Sequence, residues 1–126
     1  MKVYRLEHST IPKTTPYAFH DNDTYIRLLK EDPELLIKLA NLMGDVMRKH
    51  ATNDRPGVSR EFRDFRSGVH YAGCPSLEDL KEWFTGLYDR LIDSGFEVVV
   101  YEVDSGYVFK GKIQCIFPMS KAVKLK

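Results

Sequence analysis

The chain has 126 residues, of which 43% are hydrophobic and 12% aromatic, and its formal net charge is +1. That balance fits one packed domain that buries roughly two-thirds of its surface, and it excludes a disordered chain. No apolar run approaches the ~20 residues of a membrane span, and Met1-Lys2-Val3-Tyr4-Arg5 has no apolar core of an export signal.

Residues 3–7 alternate as a first strand, with Val3, Arg5 and Glu7 on one side and Tyr4 and Leu6 on the other. Pro12 and Pro16 mark residues 9–17 as a loop. Asp21, Asn22 and Asp23 offer caps for a short helix that runs to Lys30. A longer helix spans 33–49, with Asp32 as cap, Pro33 in its first turn and Glu34 at its positive dipole end. Leu35, Leu36, Leu39, Leu42, Met43, Val46 and Met47 give it a stripe for burial, and Gly44 within it suggests close packing.

Residues 51–68 have no period and read as a long loop, with turn signals at Asn53-Asp54 and Pro56-Gly57 and anchors at Phe62 and Phe65. A short strand is expected at 69–72. Ser76 then caps a second main helix, 77–93, whose Leu77, Leu80, Phe84, Leu87 and Leu91 form the inner stripe. Gly95 closes it in the left-handed conformation. The β-branched run 97–103 reads as a central strand. Asp104-Ser105-Gly106 then reads as a hairpin turn into a return strand at 107–110. Gly111 marks a bulge or turn before a last strand, 112–117, and the tail either adds an edge strand or stays loose. The expected fold is one α+β domain over 1–126: a small twisted, mostly antiparallel sheet with two main amphipathic helices.

Charge is unevenly placed. Arg48, Lys49, Arg55, Arg60, Arg63 and Arg66 face only Asp54, Glu61 and Asp64 in residues 48–66, whereas residues 76–97 are acidic. Arginine forks hold phosphates or carboxylates, and interleaved aromatics stack on bases. Arg55, Arg60, Phe62, Arg63 and Arg66 are therefore the candidate partner-binding residues. The plainer reading is a solvated loop whose arginines pair with nearby carboxylates.

His8, His20, His50 and His70 lack metal spacing, no Cys-x-x-Cys pair exists, and neither phosphate-binding glycine motif nor nucleophile elbow is present. No metal site and no catalytic set are assigned. Cys74 and Cys115 are expected to be reduced and packed. Arg5 within a strand is either an edge charge that resists aggregation or an anchor at a cleft. Gln114, in an apolar strand, either faces solvent or lines the same cleft.

Val3-Tyr4-Arg5-Leu6-Glu7, Pro16-Tyr17, Gly73-Cys74-Pro75-Ser76-Leu77, Leu80, Trp83-Phe84, Gly95-Phe96, Val98, Val100-Tyr101-Glu102-Val103 and Gly111 to Gln114 and Phe117 together resemble a group of small phage and prophage proteins. Residues 18–69 are outside the match, and Thr15 stands where that group tends to have glycine. The resemblance implies a phage origin, hence the bacterial host cytosol, and little about activity. The segregated charge and the lack of a recognisable catalytic set lead to the expectation of an accessory protein that binds a host or defence macromolecule without a cofactor. Nucleic acid is the other partner considered.

A fold-level likeness to ADP-ribosyltransferases rests on the order of Arg5, the segment from His70-Tyr71 to Ser76, and Gln114. It implies a nucleotide-binding set of Arg5, Tyr71, Ser76, Glu102 and Gln114, with NAD as ligand. Gln114 stands at the place of the catalytic carboxylate and lacks its charge, so Glu102 on an earlier strand has to substitute. The likeness thus implies little transferase activity.

Overall fold

A computed structural model describes residues 1–50 and 55–125. The expected turn at Asn53-Asp54 and the terminal Lys126 lie outside them. The described elements are β1 (Lys2–His8), α1 (Asn22–Glu31), α2 (Pro33–Lys49), α3 (Val58–Glu61), β2 (His70–Gly73), α4 (Leu77–Trp83), α5 (Tyr88–Asp93), β3 (Phe96–Val103), β4 (Phe109–Lys110), β5 (Cys115–Pro118) and β6 (Ala122–Lys124). The class is α+β, as expected, but the strands form two three-stranded sheets rather than one: β1-β3-β6 and β2-β5-β4.

Two compact units are distinguished along the chain. The first holds Met1–Arg5, His50–Thr85 and Val98–Lys126; the second holds Leu6–Lys49 and Gly86–Glu97.

In the first unit, β5 is the centre of its sheet. It pairs antiparallel with β2 (Tyr71 opposite Phe117, Gly73 opposite Cys115) and with β4 (Phe109 opposite Ile116). Phe117 and Cys115 join Val3, Val99, Tyr101 and Val103 in a fully or nearly buried core, with Val108, Met119 and Ala122 around it. Tyr4 and Cys74 exchange two backbone bonds of 2.8 Å each, so the start of β1 bridges to the end of β2. That approach depends on Gly73, where an added Cβ would fall 2.9 Å from the Tyr4 carbonyl oxygen. Ser76 caps α4 by accepting the Asp79 N–H at 3.0 Å.

The expected 104–106 hairpin is not formed. The Asp104 carboxylate accepts the Gly106 N–H, and residues Ser105–Tyr107 make a 3-10 turn that sends the chain to β5 instead. The position beside β3 is taken by β6 from the tail, with Val103 opposite Ala122. β3 is therefore central, as its β-branched run suggested.

In the second unit, Asp21 caps α1 and Asp32 caps α2 through the Leu35 N–H at 3.2 Å. The α2 range matches the expectation, and Leu36, Leu39, Leu42, Met43 and Val46 are buried. Met47 is 54% exposed, so the inner stripe ends one residue earlier than expected. Gly44 is not a close-packing point, since an added Cβ would meet only Arg48 at 3.5 Å. The single helix expected over 77–93 is two helices, α4 and α5. Gly86 adopts φ +80 between them and breaks the hydrogen-bond ladder; Gly95 closes α5 at φ +98.

Candidate functional site

The segment 55–62 does not behave as a loose loop. Arg55 donates to the Trp83 carbonyl at 3.0 Å and to the Glu82 carbonyl at 2.9 Å, so its guanidinium is tied to the carbonyl end of α4. His50 donates from Nε2 to the same Trp83 carbonyl at 2.8 Å and lies edge-on to the indole, 5.0 Å between centroids. Burial pushes the His50 pKa down to about 4, so the ring is neutral at pH 7. Val58–Glu61 forms a short helical turn, and Phe62 is buried at 8% exposure.

The other anchor is Gln114. Its side chain is 4% exposed, and its amide donates to the Pro56 carbonyl at 3.0 Å and to Glu61 Oε1 at 2.7 Å. Glu61 Oε2 accepts the Lys112 N–H at 2.9 Å. The Glu61 carboxylate thus sits in the β4–β5 turn, closed by the Gly111 N–H on the Gln114 carbonyl at 2.8 Å. Any side chain at Gly111 would collide with that carboxylate. Gln114 is therefore not a solvent-facing residue. It joins two segments 53 residues apart in sequence.

These contacts divide the candidate partner-binding residues. Arg55 and Phe62 hold the segment in place. Arg60, Arg63 and Arg66 carry exposed side chains on or just beyond it. Among the described residues no ion pair engages Arg63 or Arg66, and Glu61 is committed to the β4–β5 turn. Arg48 pairs with Asp45 on α2, and Arg48 and Lys49 belong to the second unit. The run of six basic residues in sequence is thus divided between the two units.

The nucleotide-binding set is less coherent. The Arg5 guanidinium lies 5.0 Å from the Tyr71 ring centroid, and Arg5 is only 8% exposed, so it is not an exposed edge charge. Ser76 Oγ is occupied as a helix cap. Glu102 is half exposed and pairs with the Met1 ammonium at 3.2 Å. Tyr71 shares a strand face with Phe117 and Cys115; continuing that alternation one residue before β5 puts Gln114 on the opposite face. Two open concavities among the described residues are lined by Ala18, Phe19, Asn22, Tyr25, Ala40 and Met43, and by Lys38, Asn41, Leu42, Arg90, Asp93 and Ser94. Neither contains any residue of this set.

Both thiols are buried. Burial pushes Cys115 up to about 12 and Cys74 higher still, which leaves neither as a nucleophile at neutral pH. Among the described residues, no group of three or more His, Cys, Asp or Glu side chains is placed to hold a metal ion. No helix there is long and apolar enough to cross a membrane.

Sequence reasoning missed Glu61 as the partner of Gln114. It also missed a row of rings on the β2-β5-β4 sheet, where His70 lies 6.1 Å from Phe65 and 6.3 Å from Phe109. The basic character of the chain beside that row was legible: residues 105–126 contain Lys110, Lys112, Lys121, Lys124 and Lys126 and no acidic residue.

The family model described as "Bacteriophage T4 Y00F protein" matches residues 1–126. No curated protein and no solved structure matches the chain.

Proposed function

Because the chain belongs to the Bacteriophage T4 Y00F protein family, we propose that it is a phage accessory protein that works in the bacterial host cytosol by binding a host or defence macromolecule, not by catalysis. The contact surface in this reading is Arg60, Arg63 and Arg66. One observation carries it: the segment that bears Arg60 and leads into Arg63 and Arg66 is held by polar bonds from Arg55 and the buried Gln114 and by the buried Phe62. A surface held in advance loses less conformational freedom when it binds.

Catalysis is the weaker reading because the residues that would perform it have other occupations: Ser76 caps a helix, Gln114 bonds Pro56 and Glu61, and Glu102 pairs with the amino terminus. The test is capture of partners from infected-cell lysate by the wild type and by an Arg60→Ala/Arg63→Ala/Arg66→Ala variant of matched melting temperature. Loss of a stoichiometric partner in the variant is expected. Equal capture by both refutes the surface assignment.

A further inference from the structure

The first unit carries a second feature beside the arginines. Phe65, His70 and Phe109 form a continuous row of rings, with Phe109 48% exposed and Phe65 and His70 half-buried. His70 is fixed in the row because its Nδ1 accepts the Arg66 N–H at 2.9 Å, while the His70 N–H donates to the Arg66 carbonyl at 2.9 Å. Val69, 48% exposed, adds apolar surface in the same turn. Phe109 lies on β4, at the edge of the β2-β5-β4 sheet.

The charge around these rings is mostly positive. Residues 62–77 contain Arg63 and Arg66 against Asp64 alone, and residues 105–126 contain lysines and no carboxylate. Arg63, Arg66, Lys110 and Lys112 are all exposed. Lys121 stands over the exposed Tyr107 ring, 5.3 Å from its centroid.

We infer that this face binds single-stranded nucleic acid, stacking bases on Phe109 and the ring row while Arg63, Arg66 and Lys112 hold phosphates. This rests on the proposed binding function and names the chemistry of the partner. An acidic peptide would use the arginines but has no use for open ring faces. A duplex would meet the basic groups but keeps its base faces stacked inside, out of reach of Phe109. Only an unpaired strand presents phosphates and free π-faces together, the combination used by single-strand binders. The net charge of +1 does not oppose this, because the positive charge is local: residues 105–126 carry lysines and no acidic residue.

The experiment is fluorescence anisotropy at low salt with a labelled twelve-nucleotide single strand, the same sequence as a duplex, and polyglutamate as competitor. The single strand should bind more tightly than the duplex. Phe109→Ala should weaken it roughly ten-fold, and Phe109→Trp should restore it. Arg66→Ala should lower the slope of log affinity against log salt by about 0.7. No single-strand binding, equal affinity for the duplex, or indifference to Phe109→Ala each overturns the inference. If the single strand fails to bind while lysate capture still depends on Arg60, Arg63 and Arg66, this inference falls and the broader function stands; if both fail, both fall.

Discussion

Replacing Gln114 by Ala tests whether the segment under the arginines is held as described. The substitution removes a bond to a neutral carbonyl, worth about 1 kcal/mol, and one to a carboxylate, worth about 2 kcal/mol. These are the bonds to Pro56 and Glu61. The Lys112 N–H still serves Glu61, and water entering the gap recovers part of the loss, so the net cost should be about 2 kcal/mol. Urea unfolding followed by the fluorescence of Trp83, the single tryptophan and a buried one, reads this directly. Amide exchange gives the local readout. The Arg60 and Glu61 amides, both bonded to the Gly57 carbonyl, and the Phe62 amide, bonded to Val58, should exchange faster in the variant than in the wild type. Gln114→Glu places a second carboxylate against Glu61 and should cost more at pH 7 than Gln114→Ala, through like-charge repulsion. A loss under about 0.5 kcal/mol for Gln114→Ala, with exchange unchanged at residues 60–62, refutes the reasoning.

Three further outcomes are expected. His50 should make the fold acid-sensitive: its folded pKa of about 4 lies below the ordinary 6.5, so its contribution is complete above pH 6.5 and is lost as pH falls toward 4. At 1.36 kcal/mol per pH unit the ceiling is about 3 kcal/mol, and residual solvent screening reduces it to about 2; urea titrations of wild type and His50→Gln across pH 4–7 should diverge by that amount. Gly111→Ala should destabilise by about 1–3 kcal/mol, because the methyl group displaces the Glu61 carboxylate from its turn; a melting temperature within a degree of wild type would contradict that contact. Cys74 and Cys115 should resist a thiol reagent in the native protein and react only after unfolding, and labelling at the rate of free cysteine would contradict their burial.

How far the sequence could be read depended on whether the deciding contact was local. The Asp32-Pro33 start and the three- and four-residue recurrence of leucines are local, and α2 runs over the expected range. The same periodicity hid the α4–α5 break: Leu80, Trp83, Phe84, Leu87 and Leu91 are all buried on either side of it. Thr85-Gly86 was the available signal, since a helical glycine costs about 1 kcal/mol and often marks an end. The Asp104-Ser105-Gly106 turn was read from local chemistry, but which strand pairs with β3 is a long-range choice, and the tail made it. At the candidate site, the residue types were visible and the partners were not. Arg55 and Arg63 look alike in sequence; one ends on the Trp83 and Glu82 carbonyls, and the other points to solvent. Gln114 stood out as a polar residue in an apolar run, yet its partner Glu61 lay in a stretch without period.

The most direct test of the account is lysate capture with wild type and the Arg60/Arg63/Arg66 alanine variant side by side, before and after nuclease treatment, with intact mass spectrometry of what is retained. The account predicts a stoichiometric partner of unchanged mass on the wild type and its loss from the variant. Capture that ignores the three arginines, or a partner carrying an ADP-ribose-sized mass increment, contradicts it.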